Sequence, residues 1–130
     1  MTKVLFVCVH NSGRSQMAEA FFNYLAKGKG EASSAGTKPS AEVNPTVVRA
    51  MQEVGLDISG KKPKLLTMEM LDAADRVFTM GCGVEETCPG TFVVSEDWQI
   101  EDPHGKPIET VRRIRVEVKA RVEALIKALP

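Results

Sequence analysis

Short apolar runs alternating with stretches of helical periodicity predict an α/β fold. The expected form is a single three-layer domain over residues 1–130, with a central four-stranded parallel sheet flanked by helices. Three observations carry this reading. Val4-Leu5-Phe6-Val7 is an unbroken apolar run of the kind found in strands covered on both faces. Met17, Ala18, Phe21, Phe22 and Leu25 then recur at three- and four-residue spacing. The two patterns go on alternating to the end of the chain, with no repeat, low-complexity tract or linker to divide it.

Taken in order, Lys3 to Val7 reads as the first strand, and Ser15 to Lys27 as a helix ended by Gly28. Ala32 to Ala35 reads as a second strand closed by Gly36. Pro39 to Asn44 is a loop, after which Asn44-Pro45 supplies a cap and a first-turn proline. Val47, Val48, Met51 and Val54 mark the buried face of that second helix, and Gly55 closes it. Lys61 to Lys64, with Pro63 inside, is a polar surface loop. Thr67 caps a short helix running through Leu71, and Asp75 to Met80 is a third buried strand. Gly81 to Gly90 is irregular, being rich in glycine, and Phe92 to Val94 reads as the fourth strand. Pro107 opens a long last helix with Ile108, Val111, Ile114 (or Arg115), Val118, Val122, Leu125 and Leu129 on one face. Arg112, Arg113, Lys119, Arg121 and Lys127 fall mostly outside that face, as solvated surface. Strands joined through helices imply parallel, right-handed crossovers, with ligands bound at the carboxyl ends of the strands. Cys8, Cys82 and Asp102 all fall at or beyond such ends.

Composition excludes more than it identifies. Apolar residues make up 43% and charged residues 26%, and seventeen basic side chains balance seventeen acidic ones. That balance gives no electrostatic reason to expect a nucleic acid or an anionic membrane as partner. The first apolar run is interrupted by His10 and Asn11, too early for a secretory or membrane-spanning segment, so a cytoplasmic monomer is expected. Three cysteines cannot form a closed structural framework, and in a reducing compartment they suggest catalysis or metal binding instead.

The chemistry concentrates in Cys8-Val9-His10-Asn11-Ser12-Gly13-Arg14-Ser15. A loop between a strand and a helix start converges backbone N–H groups where the helix dipole welcomes an anion. The same field favours the thiolate of Cys8 as a nucleophile. Arg14 brings a planar fork for two oxygens. The amides of Val9, His10, Asn11, Ser12, Gly13 and Arg14 form the expected oxyanion cradle, to which His10 lends only its backbone. Ser12 and Ser15 offer hydroxyls to the thiolate, and Asn11 tolerates a left-handed backbone. Asp97, Glu101 and Asp102 compete for the role of general acid. Cys82 and Cys88 are separated by five residues with no second pair, against the usual zinc spacing, so no metal site is expected.

The first strand, the Cys8–Ser15 run and Gln16-Met17-Ala18-Glu19 resemble the low-molecular-weight tyrosine phosphatase superfold. Within it the chain resembles the thioredoxin-coupled arsenate reductases. The matching segments are Ser34-Ala35-Gly36-Thr37, Gly55-Leu56-Asp57-Ile58-Ser59, Met80-Gly81-Cys82 with Cys88-Pro89, and Asp97-Trp98 with Glu101-Asp102-Pro103. The cysteine pair is the discriminating element, since ordinary members of the phosphatase branch lack it.

The resemblance implies arsenate and related oxyanions as substrates, with Cys8 as nucleophile and Asp102, held before Pro103, as the acid. It implies a relay in which a Cys8–Cys82 disulfide passes to Cys82–Cys88, and thioredoxin or a similar dithiol protein then reduces it. No tightly bound cofactor is expected. Some members bind potassium through an Asn, a Glu, a Ser and a later acid. Asn11, Glu19 and Ser34 match the first three, but Gly60 to Leu66 holds no acid. A lysine there replaces the charge, so potassium dependence is not expected. Two rival readings remain at this point: a phosphatase acting on phosphotyrosine or small phosphomonoesters, and a non-catalytic thiol sensor of oxidants or arsenite.

Overall fold

The computed structural model describes residues 2–80 and 95–129. The expected irregular segment Gly81–Gly90, the strand at Phe92–Val94, and Cys82 and Cys88 lie outside the described residues. Four strands, β1 (Thr2–Cys8), β2 (Gly30–Gly36), β3 (Arg76–Thr79) and β4 (Ser95–Asp97), form one sheet in the order β2-β1-β3-β4. Every neighbouring pair is parallel, with Cys8 opposite Gly36 and Val7 opposite Thr79. The helices are α1 (Arg14–Leu25), α2 (Pro45–Gln52), α3 (Met68–Ala73) and α4 (Ile108–Ala128).

The pleat of β1 assigns its side chains to two cores. Val4, Phe6 and Cys8 join Met17, Phe21 and Phe22 of α1 and the Val111, Ile114, Val118, Val122 stripe of α4. Leu5 and Val7 turn to the other face, where Leu71 of α3 and Val77 of β3 cover them. Phe6 lies at the centre of the larger core, its ring 5.8 Å from that of Phe78 and 5.5 Å from that of Trp98. With helices on both faces and a sheet buried between, the expected α/β class holds.

Local chemistry explains the boundaries. Asn44 caps α2 by accepting from the Thr46 N–H, with Pro45 in the first turn, and Thr67 caps α3 by accepting from the Met70 N–H. α1 ends at Leu25, short of the expected Lys27, and Gly28 then takes a left-handed φ of 83°. Among the described residues the fourth strand spans Ser95–Asp97. Val54 is exposed, because α2 stops at Gln52 and the next residues leave the helix track. On α4 the buried residue is Ile114, while Arg115 reaches across to the Ala50 carbonyl and Glu53. Arg112 and Arg113 are likewise engaged, pairing with Glu53 and Glu101. No described helix is long and apolar enough to cross a membrane.

Candidate active site

Cys8 ends the central strand and is buried. From it the loop runs to Gly13, and α1 starts at Arg14 with no side chain capping its first turn. Six consecutive loop carbonyls are each tied to a donor. Cys8 O accepts from Thr37 N at 3.2 Å, Val9 O from Lys38 N at 2.8 Å, and His10 O from Ser40 N at 3.0 Å. Asn11 O accepts from Gln16 Nε2 at 3.1 Å, Ser12 O from Asn44 N at 2.9 Å, and Gly13 O from Met17 N at 2.9 Å. In a trans peptide the C=O and the next N–H point oppositely. Anchoring the carbonyls to the surrounding chain therefore turns the following N–H groups, those of Val9 through Arg14, the other way. Such a ring of donors at an uncapped helix start suits a tetrahedral anion.

The sulfur has two neighbours able to donate. Asn11 N–H points at Cys8 Sγ from 3.2 Å, and Ser15 Oγ lies 2.8 Å from it. Asn11 sits at φ 51°, the left-handed conformation expected of it. Its amide nitrogen donates to Ser15 Oγ at 2.7 Å and Ser34 Oγ at 3.0 Å, while its Oδ1 accepts from Lys64 N and Gln16 Nε2. Ser15 is thus a hydroxyl on the thiol, and the N-cap of α1 is Gly13. Gly36 permits this crowding: a Cβ there would stand 2.5 Å from Val9 O and 3.0 Å from Asn11 N.

Arg14 is buried, and its Nη1 donates to Met80 O at 2.6 Å and Ile100 O at 3.0 Å. The guanidinium thereby joins the ends of β3 and β4 to the loop, with Nη2 3.8 Å from Asp102 Oδ2. Asp102 is partly exposed and accepts from the His104 N–H at 3.0 Å. The Pro103 ring packs against Gly13, where an added Cβ would come within 2.7 Å of Pro103 Cγ. The described residues therefore bring Cys8, Arg14, Ser15 and Asp102 together. Asp97 accepts from Thr79 Oγ1, and Glu101 pairs with Arg113.

The potassium donor set does not fit. Asn11 Oδ1 is taken by two N–H donors, and Glu19 by the Ser34 hydroxyl and, at 3.2 Å from Oε2, by Lys61 Nζ. Nor do the described residues hold a cluster of three or more His, Cys, Asp or Glu placed for a metal ion. Sequence reasoning missed His104, whose N–H holds Asp102 and whose ring stands 5.8 Å from that of His10. It also missed Gln16, and the Met80 and Ile100 carbonyls on Arg14. Gln16 was findable, as the side chain directly after the loop; backbone acceptors leave no such mark.

The family described as low molecular weight phosphotyrosine protein phosphatase matches residues 3–130. The chain is 45% identical over 130 residues to the glutaredoxin arsenate reductase of Synechocystis, covering 97% of each chain. A solved structure of an arsenate reductase in its phosphate-binding state superposes with a TM-score of 0.87 at 44% identity, over 100% of both chains. A Corynebacterium glutamicum thioredoxin-dependent arsenate reductase gives a TM-score of 0.82 at 37% identity, over 98% of this chain and 61% of that one.

Proposed function

Since the chain belongs to the low molecular weight phosphotyrosine protein phosphatase family, we propose that it uses this loop as an arsenate reductase. The observation that carries the reading is the seat of Cys8: a buried sulfur with Ser15 Oγ at 2.8 Å, beneath six outward-tied carbonyls, in a chain that also has Cys82 and Cys88. Likeness to proteins named as arsenate reductases over the whole chain supports it.

In the proposed reaction the Cys8 thiolate attacks arsenic(V) of an arsenate held by the loop amides and Arg14. Asp102 gives a proton to the departing oxygen, which leaves as water. The Cys82 thiolate then attacks Cys8 Sγ. The S–As bonding pair stays on arsenic, which leaves as arsenite, arsenic(III), and the two sulfurs are oxidised to a disulfide. Cys88 attacks Cys82, freeing the Cys8 thiolate and leaving a Cys82–Cys88 disulfide. A dithiol protein of the thioredoxin type returns it to two thiols. The need for a dithiol donor kept reduced supports a cytoplasmic location, where thiols stay reduced.

The test is a thiol count. Reduced protein is mixed with excess arsenate without any donor protein, desalted, denatured and titrated. Loss of two of the three thiols with an equal amount of arsenite, and no loss with phosphate, supports the relay. Retention of all three overturns it and leaves phosphomonoester hydrolysis through a phosphocysteine, for which Cys8, Arg14 and Asp102 suffice. Repeating the turnover with thioredoxin and with glutaredoxin identifies the donor.

A further inference from the structure

A line of buried polar groups leads away from Cys8, and donor and acceptor capacity fixes its direction. A carboxylate only accepts, so Ser34 must give its one proton to Glu19 Oε1, 2.8 Å away. Ser34 Oγ then meets Asn11 Nδ2, at 3.0 Å, as an acceptor. The Asn11 amide cannot be turned round, because Oδ1 faces the Lys64 N–H at 2.9 Å and Gln16 Nε2 at 3.2 Å, both of which only donate. Its second amide proton goes to Ser15 Oγ at 2.7 Å. Ser15 is left with its own proton for Cys8 Sγ. The sulfur therefore receives two donors, Ser15 O–H and Asn11 N–H, the set that suits a thiolate.

Glu19 Oε1 is the acceptor at the far end of this line, and the Glu19 side chain is only 7% exposed. Lys61 Nζ, 3.2 Å from the free oxygen, is the ammonium paired with it, and Lys61 itself is half in solvent. Lys62 and Lys64 line the same cleft of about 280 Å³ with Gln16 and Gly60. The Lys61 ammonium already sits on the Glu19 oxygen that a further cation would use. We propose that Lys61 is a positioning residue: its ammonium holds Glu19 in place as the acceptor of the Ser34 proton and so steadies the Ser34–Asn11–Ser15 hydrogen bonds that end on Cys8, so that no monovalent cation is needed. This rests on Cys8 being the nucleophile.

The experiment compares the full chain with Lys61→Gln and Lys61→Arg, by the iodoacetamide alkylation rate of Cys8 across pH, read by mass spectrometry of its peptide. In Lys61→Gln the rate at neutral pH falls about three- to tenfold, as for weakening one hydrogen bond to a charged group. The whole pH curve moves upward while the melting temperature holds. Lys61→Arg restores most of the rate, and the unsubstituted chain reacts equally in potassium and choline salts. An unchanged rate in Lys61→Gln, a loss that Lys61→Arg does not relieve, or a potassium-dependent rate in the unsubstituted chain would overturn the proposal. The assay contains no arsenate, so its failure is separate from that of the reductase reading, which the thiol count decides.

Discussion

At the scale of single residues, Asp102 and Gly13 separate chemistry from fold. Asp102 is partly exposed and its described polar neighbours are the His104 N–H and Arg14, so Asp102→Asn leaves the fold intact. Single-turnover arsenate reduction should then slow by about 10²–10⁴-fold, the usual contribution of a general acid; a loss under twofold assigns the proton to another group. Gly13→Ala acts on the same step from the other side. Its Cβ would meet the Pro103 ring at 2.7 Å, and the ring cannot swing aside without moving Asp102. Turnover is expected to fall about ten- to hundredfold, the scale of a misplacement near 1 Å, with substrate binding changed far less, as separate kcat and KM values will show. Cys8, Arg14 and Ser15 were legible because nucleophile, fork and hydroxyl each carry a side-chain signature at a set spacing, whereas Asp102 stood apart from Asp97 and Glu101 only through the family resemblance. The carbonyls of Met80 and Ile100 were not, since any residue type supplies a carbonyl.

At the scale of elements, two contacts hold the layers in register. Glu53, which follows α2, accepts from Arg112 and Arg115 of α4. The hydrogen-bonded Arg112 guanidinium, with that of Arg115, lowers its carboxyl from 4.5 to about 2. A lowered carboxyl stabilises above its unfolded value and loses that contribution as the pH falls through its folded one. Glu53→Gln is therefore less stable than its parent at pH 7, and urea titrations should show the difference closing as the pH falls from 4.5 toward about 2. A difference that persists unchanged at the acid end rules the clamp out. The second contact guards an edge. β2 ends the sheet, and Asn23 of α1 pairs with it as a neighbouring strand would, accepting from Ala32 N at 2.8 Å and donating to Ala32 O at 3.1 Å. Asn23→Ala is expected to cost about 1 kcal/mol in urea unfolding and to raise self-association in light scattering, since the freed edge can template another chain. The helix stripes and caps were readable because periodicity and Asn44 or Thr67 announce them. Glu53 was not, because its partners are 59 and 62 residues away.

At the scale of the molecule, the sheet and the site are one construction. The parallel order β2-β1-β3-β4 puts Cys8 on a strand with neighbours on both sides, and Trp98 packs 4.9 Å from Phe78 and 5.5 Å from Phe6 in the core below. Trp98 is the sole tryptophan, so its fluorescence reports closure of that core. In refolding from urea, Trp98 burial and the return of the Cys8 alkylation rate to its native value should share one rate constant; a thiol that reaches its native rate clearly ahead would mean the loop forms alone. The carbonyls that Arg14 grips lie 66 and 86 residues along the chain, and closing loops of that size is slow compared with forming a helix. During synthesis, a ribosome that has finished α1 has already made the nucleophile but not the residues that seat its arginine. The growing chain therefore carries its proposed nucleophile before Arg14 is seated, and the arginine is fully held only once the segment beyond β4 that carries Ile100 has been made.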